Sequence, residues 1–164
     1  MSDLTQFLEL FKPLPGNHYL QVTTIPDETT DALYEILNKV DGELSLAIYA
    51  DQKTDYSSRF PDAKIQYIDN FKQPFRAIPR NHDIVIFKDF FHLHENQNMV
   101  LKIAYTTLAN TANIIIMQEK GTMDFEQIKN LLEEFEFRAS NEIDVLPEYD
   151  LVMAKKMHMW GNGL

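Results

Sequence analysis

Residues 84–87, Ile-Val-Ile-Phe, place four large apolar side chains in unbroken succession behind Asp83. A strand with one face in water alternates apolar with polar residues. An uninterrupted run is covered on both faces, which is the habit of a parallel sheet sandwiched by helices. A second such run, NIIIMQE at 113–119, follows it. Between them Val100, Ile103, Ala104 and Leu108 recur at helical spacing and predict a helix over about 96–110. Strand, helix, strand is thus the unit from which this chain is built.

The unit recurs upstream. HYLQVTTI at 18–25 reads as a strand, and Asp27 is placed to cap a helix carrying Leu33, Ile36, Leu37 and Val40. Gly42 closes that helix, and ELSLAIYA at 43–50 is the next strand. Polar residues 52–62 allow one or two helical turns before a strand at 63–69, and Pro74 and Pro79 make 70–81 a loop. Phe125, Ile128, Leu132 and Phe135 give another amphipathic helix. The end breaks the pattern. Strand-like runs at 142–146 and 149–157 are separated only by the Pro147-Glu148 pair, too short for a parallel crossover, so they form an antiparallel hairpin. At the start, Leu4, Phe7, Leu8 and Phe11 make one helical stripe ended by Pro13 and Pro15-Gly16, packing on its own chain or on a second subunit. With no linker or repeat, 164 residues suit a single domain, 1–164, with 1–16 as a short helical extension.

Composition narrows the functions. Fifteen Lys and Arg stand against 25 Asp and Glu, a net charge of −10, which disfavours nucleic acid and anionic membranes as general partners. Cysteine is absent, which removes disulfides, thiolate metal sites and cysteine nucleophiles. No apolar run approaches the ~20 residues of a membrane span, and no secretion signal is read, so a cytoplasmic protein is expected. Gly-rich phosphate loops, Ser-nucleophile elbows and HExxH zinc motifs are missing as well.

The order of elements resembles that of the class I S-adenosylmethionine-dependent methyltransferases, over about 18–157. His82-Asp83-Ile84-Val85-Ile86-Phe87 is similar to that family's fourth strand with its leading Asp, and Phe91-His92-Leu93-His94 to the segment after it. Tyr149 to Lys156 looks like the family's last strand. The resemblance implies an α/β fold: a three-layer Rossmann-like sheet of about seven strands, mostly parallel with a C-terminal antiparallel hairpin, preceded by a short N-terminal helix.

The first strand departs from the family. Where the family carries an acid and then a glycine-rich turn against the methyl donor, this chain has Gln21, then Thr23, Ile25 and Asp27 at the glycine positions, and no glycine lies between Gly16 and Gly42. A β-branched residue where φ must be positive costs on the order of 1 kcal/mol or more, so the loop is expected to take another path. The resemblance implies Gln21, Thr23, Asp51 and Asp69 as cofactor-binding positions, the last two at the carboxyl ends of the second and third strands, where open α/β sheets hold ligands. Aspartates in such turns are also ordinary caps.

His94 is the candidate general base, set after the fourth strand. His92 and His94 with Asp89 and Glu95 form the one local cluster of metal-ligand types, but a site wants three or four converging groups, and no metal is expected. Arg59, Lys64, Lys72, Arg76 and Arg80 lie among Tyr67, Phe71 and Phe75, while residues 123–150 hold nine acids against Lys129 and Arg138. These are a basic loop with tucked aromatics and a solvated acidic face, or docking surfaces for single-stranded nucleic acid or an anionic metabolite and for a basic partner. Trp160 is either a free chain end or an oligomer anchor.

Two functions follow. The first is a methyltransferase-like protein without cofactor, acting as an interaction or regulatory module with a protein partner or with itself. The alternative is an active S-adenosylmethionine-dependent methyltransferase with an atypical cofactor loop. A nucleotide reading ranks third, because Asp27, Glu28 and Asp31 at a helix start repel phosphate.

Overall fold

The computed structural model describes residues 4–49 and 54–157. Seven strands form one sheet: β1 (His18–Thr23), β2 (Glu43–Tyr49), β3 (Lys64–Ile68), β4 (His82–Lys88), β5 (Leu108–Glu119), β6 (Phe137–Ile143) and β7 (Tyr149–Lys156). Their order is β3-β2-β1-β4-β5-β7-β6. The first five are parallel, and β7 runs antiparallel between β5 and β6. The predicted mixed sheet with its closing hairpin is therefore the observed one.

The two unbroken apolar runs explain the layering. Val85 and Phe87 point to one face with Leu20, Val22, Ile114 and Ile116, while Ile84 and Ile86 point to the other with Leu46, Ile48, Ile115 and Met117. The first face is covered by α3 (Gln97–Thr107) and α4 (Phe125–Glu134) through Val100, Leu101, Ile128 and Leu132. The second is covered by α1 (Thr5–Leu8) and α2 (Glu28–Asn38) through Phe7, Leu33 and Leu37. Phe7 and Phe11, 5.0 Å apart and edge-on, are buried in the chain's own core, although only one turn of the N-terminal stripe is helical.

Several boundaries differ from those read in the sequence. β1 ends at Thr23, two residues early, and Ile25 turns out to solvent with 63% of its surface exposed. α3 ends at Thr107, and β5 begins at Leu108 with an irregular stretch before its ladder with β4 resumes at Asn113. β6 occupies Phe137–Ile143 rather than 142–146, entered directly from α4 through Glu136 at φ 70°. It is an edge strand with mostly polar side chains, so no apolar run announced it. At the end of α2 the left-handed residue is Asp41, not Gly42. Gly42 donates its N–H to Leu37 O at 2.7 Å, and a Cβ there would meet Leu37 and Asn17 within 3 Å.

Among the described residues, the link from β2 to β3 holds turns and no helix. Phe60 fills the space instead, fully buried and edge-on to Tyr34 of α2. Among the described residues no helix is long and apolar enough to cross a membrane.

Candidate functional site

In an open sheet of this order the chain turns in opposite directions from β1 and β4, which leaves a crevice between their carboxyl ends as the place for a ligand. The residues there are Thr23 to Asp27 after β1, and Lys88 to Phe90 at the end of β4.

Asp27 organises the first segment. It N-caps α2: Oδ1 accepts from the Thr29 N–H at 2.9 Å, and the Thr30 hydroxyl accepts from the Asp27 N–H at 3.1 Å, a reciprocal capping box. Gln21 completes a buried ring. Its Oε1 accepts from the Thr30 hydroxyl at 2.6 Å, its Nε2 donates to Thr29 Oγ1 at 3.4 Å, and the Thr29 hydroxyl donates to Asp27 Oδ1 at 2.6 Å. Each polar atom of the ring has a partner, so β1 and the start of α2 are held as one unit. Gln21 thus has both amide atoms engaged by its own chain.

Thr23 is buried as well, and its hydroxyl bonds both the N–H and the carbonyl of Ile25 at 3.3 Å. No residue from 23 to 27 takes a positive φ. The chain therefore leaves β1 by a route that needs no glycine, held by side chains rather than by bare backbone.

Sequence reasoning did not anticipate what closes the other side. Lys88, the last residue of β4, is 3% exposed, and its Nζ lies 3.3 Å from Asp27 Oδ2. The Tyr149 hydroxyl donates to the same oxygen at 3.2 Å, and the Lys88 ammonium stands 5.9 Å from the Tyr149 ring. Burial alone would raise the Asp27 pKa, but the Lys88 charge and the hydrogen bonds from Thr29 and Lys88 outweigh it and hold the carboxyl below its ordinary 3.8. Tyr149 is pushed up, first by burial and then by the Asp27 and Asp89 charges. The one available signal was a lysine ending a strand otherwise packed with apolar residues.

His94 has both ring nitrogens in use. Nδ1 accepts from the Asn96 N–H at 2.9 Å, which places the proton on Nε2, 3.0 Å from Gln73 O. The ring is buried, packed edge-on against Tyr49 and Phe90. Tyr49 also donates to Gln73 O, at 2.7 Å, and stacks on Phe71. His94 and Tyr49 together pin the 70–81 loop to the sheet. His92 is exposed, and among the described residues no three His, Cys, Asp or Glu side chains converge as a metal site.

Asp69 is exposed after β3, and Asp51 lies outside the described residues, as does Trp160. Asp89 accepts from the Glu119 N–H at 2.8 Å and ties β4 to β5. Of the basic residues, Arg59 makes a two-point pair with Asp31 on α2 and Lys64 pairs with Glu43; of the aromatics among them, Phe75 is buried. The structure therefore joins Gln21 and Thr23 at the β1 corner and sets His94 and Asp69 elsewhere.

No protein-family model matches the sequence, and no curated protein matches it. Solved structures do. A SAM-dependent methyltransferase from Aquifex aeolicus superposes with a TM-score of 0.72 at 15% identity, over 95% of this chain and 90% of that one. A TehB-like SAM-dependent methyltransferase from Corynebacterium glutamicum gives 0.70 at 15% identity, over 92% and 85%. The CurJ carbon methyltransferase gives 0.70 at 13% identity over 92% of this chain, which spans only 51% of that protein's length. The fold is that of the class I methyltransferases. Identities this low speak for the methyltransferase fold and leave its chemistry to the residues of the corner.

Proposed function

We propose that this chain uses the methyltransferase fold without the methyl donor, as a module that binds a protein partner or a second copy of itself. The observation that carries the reading is the cluster of Asp27, Lys88 and Tyr149 at the crevice between β1 and β4. S-adenosylmethionine brings a sulfonium, an ammonium, a carboxylate and an adenosine that must approach main chain closely. The corner offers it a buried lysine ammonium of like sign to the sulfonium, a carboxylate already shared by that lysine and a tyrosine, and a β1 turn held by Thr23. The like charge beside the sulfonium, the engaged carboxylate and the side-chain-held turn weigh against that ligand.

The capped N-terminus of α2 points the same way. Amide groups at the start of a helix commonly receive a ligand, but the Thr29 N–H is taken by Asp27, and Glu28 and Asp31 add negative charge in the first turn. Calorimetric titration of the chain with S-adenosylmethionine and S-adenosylhomocysteine tests the reading. Absence of binding at millimolar ligand is expected. Saturable binding in the micromolar range would replace it with the alternative, an active methyltransferase with an atypical cofactor loop, which the structural likeness to SAM-dependent enzymes favours.

A further inference from the structure

The opposite edge of the sheet carries a cleft that the function above does not use. It lies at the amino-terminal ends of β2, β3 and β4, and its volume is about 160 Å³. Glu43, Ser45, Lys64, Gln66, Arg76 and His82 line it, with Ile65, Ala77 and Ile78 as apolar wall. Its size is below the ~300 Å³ at which pockets for drug-sized ligands begin, so any occupant is small.

His82 is the unusual member. Its side chain is 4% exposed, and neither ring nitrogen has a hydrogen-bond partner. A buried imidazole without partners forfeits the hydrogen bonds it would make in water, a cost that a ligand in the cleft would offset. The neighbouring histidine does not supply a bond: the His18 ring is 6.2 Å from that of His82, and its Nδ1 accepts from Asn81 at 3.0 Å.

The charges select the ligand. Lys64 and Arg76 are exposed at the rim, Lys64 is 3.3 Å from Glu43, and the Arg76 backbone is fixed at both ends by the Gln66 amide, at 2.7 Å each way. Two cations against one carboxylate leave a single positive charge, which suits a monoanion better than a dianion facing Glu43. A guanidinium fork matches a carboxylate in two-point fashion, and the Ile65, Ala77 and Ile78 wall suits an aliphatic tail.

We propose that this cleft binds a short-chain aliphatic monocarboxylate, with the carboxylate between Arg76 and Lys64 and His82 as the buried hydrogen-bond partner. The site is independent of the crevice between β1 and β4, so its fate does not follow that of the proposed function. Burial and the His18 and Lys64 charges push His82 down to about 4, against the pull of Asp83 and Glu43. A bound carboxylate adds to that pull, so ligand binding and protonation of His82 favour each other.

Titration of the chain with butyrate, followed by the amide signals of Ser45, Gln66 and Ala77 and the His82 ring nitrogens, tests this. Saturable shifts confined to those signals are expected, with Arg76→Gln weakening binding about tenfold or more, the loss of roughly one charge-assisted bond. Arg76 is exposed, so the variant folds. Shifts that fail to saturate by about 50 mM butyrate, or equal affinity in Arg76→Gln, would overturn the assignment.

Discussion

Lys88 and Asp27, at the ends of different elements, meet at 3.3 Å under the hydroxyl of Tyr149 and seal the corner where β1 and β4 part. The ammonium is almost wholly buried, while the Asp27 side chain keeps 30% of its exposure. Removing one partner from a fully buried pair costs about 3–5 kcal/mol. Lys88→Met is expected to cost less, about 2 kcal/mol in urea unfolding, because Asp27 retains its capping bonds and some water. Combining it with Asp27→Asn should recover part of the loss, giving a coupling of about 1 kcal/mol in the double-mutant cycle.

Acid should act on this protein in two separate windows. His82 has an ordinary pKa of 6.5 and is held at about 4 in the fold, so the folded state prefers it neutral. Its share of stability is complete above pH 6.5 and declines as pH falls toward 4, by up to about 3 kcal/mol. Asp27, held below its ordinary 3.8, contributes above that value and loses its share only below it. Unfolding free energies against pH should therefore fall first across the His82 window, and His82→Gln should flatten that limb while leaving the more acidic one.

Phe60 anchors the described part of the connection between β2 and β3. It is 1% exposed, meets Tyr34 edge-on at 5.4 Å, and carries the Arg59 guanidinium 5.0 Å from its ring. Phe60→Ala is expected to cost about 3–4 kcal/mol, measured as a lower midpoint with an unchanged slope in urea.

The parts of the fold that were legible in sequence are those set by neighbours in the chain. Ile84 to Phe87 and Ile114 to Met117 declare a doubly covered sheet because the consecutive residues themselves face both layers. Asp27 declared a cap because its partner, Thr29, is two residues away. β6 was misplaced because an edge strand such as Phe137–Ile143 needs no apolar run. At the candidate site, the roles of Gln21 and Thr23 depend on bonds within nine residues, yet the partner that decides the corner, Tyr149, lies 122 positions from Asp27. Nothing in local spacing encodes such a contact. Residue type and location suggest His94 as a base, and its two nitrogens are engaged by Asn96 and by Gln73, 21 positions away, the second beyond the reach of local spacing.

The most direct test of the central claim is the amide spectrum of the 15N-labelled chain with excess S-adenosylhomocysteine, read at Thr23 to Thr30 and at Lys88 to Phe90. The account predicts that these signals stay where they are at millimolar ligand, because Asp27, Lys88 and Tyr149 already hold one another. Saturable shifts centred on those same residues would contradict it.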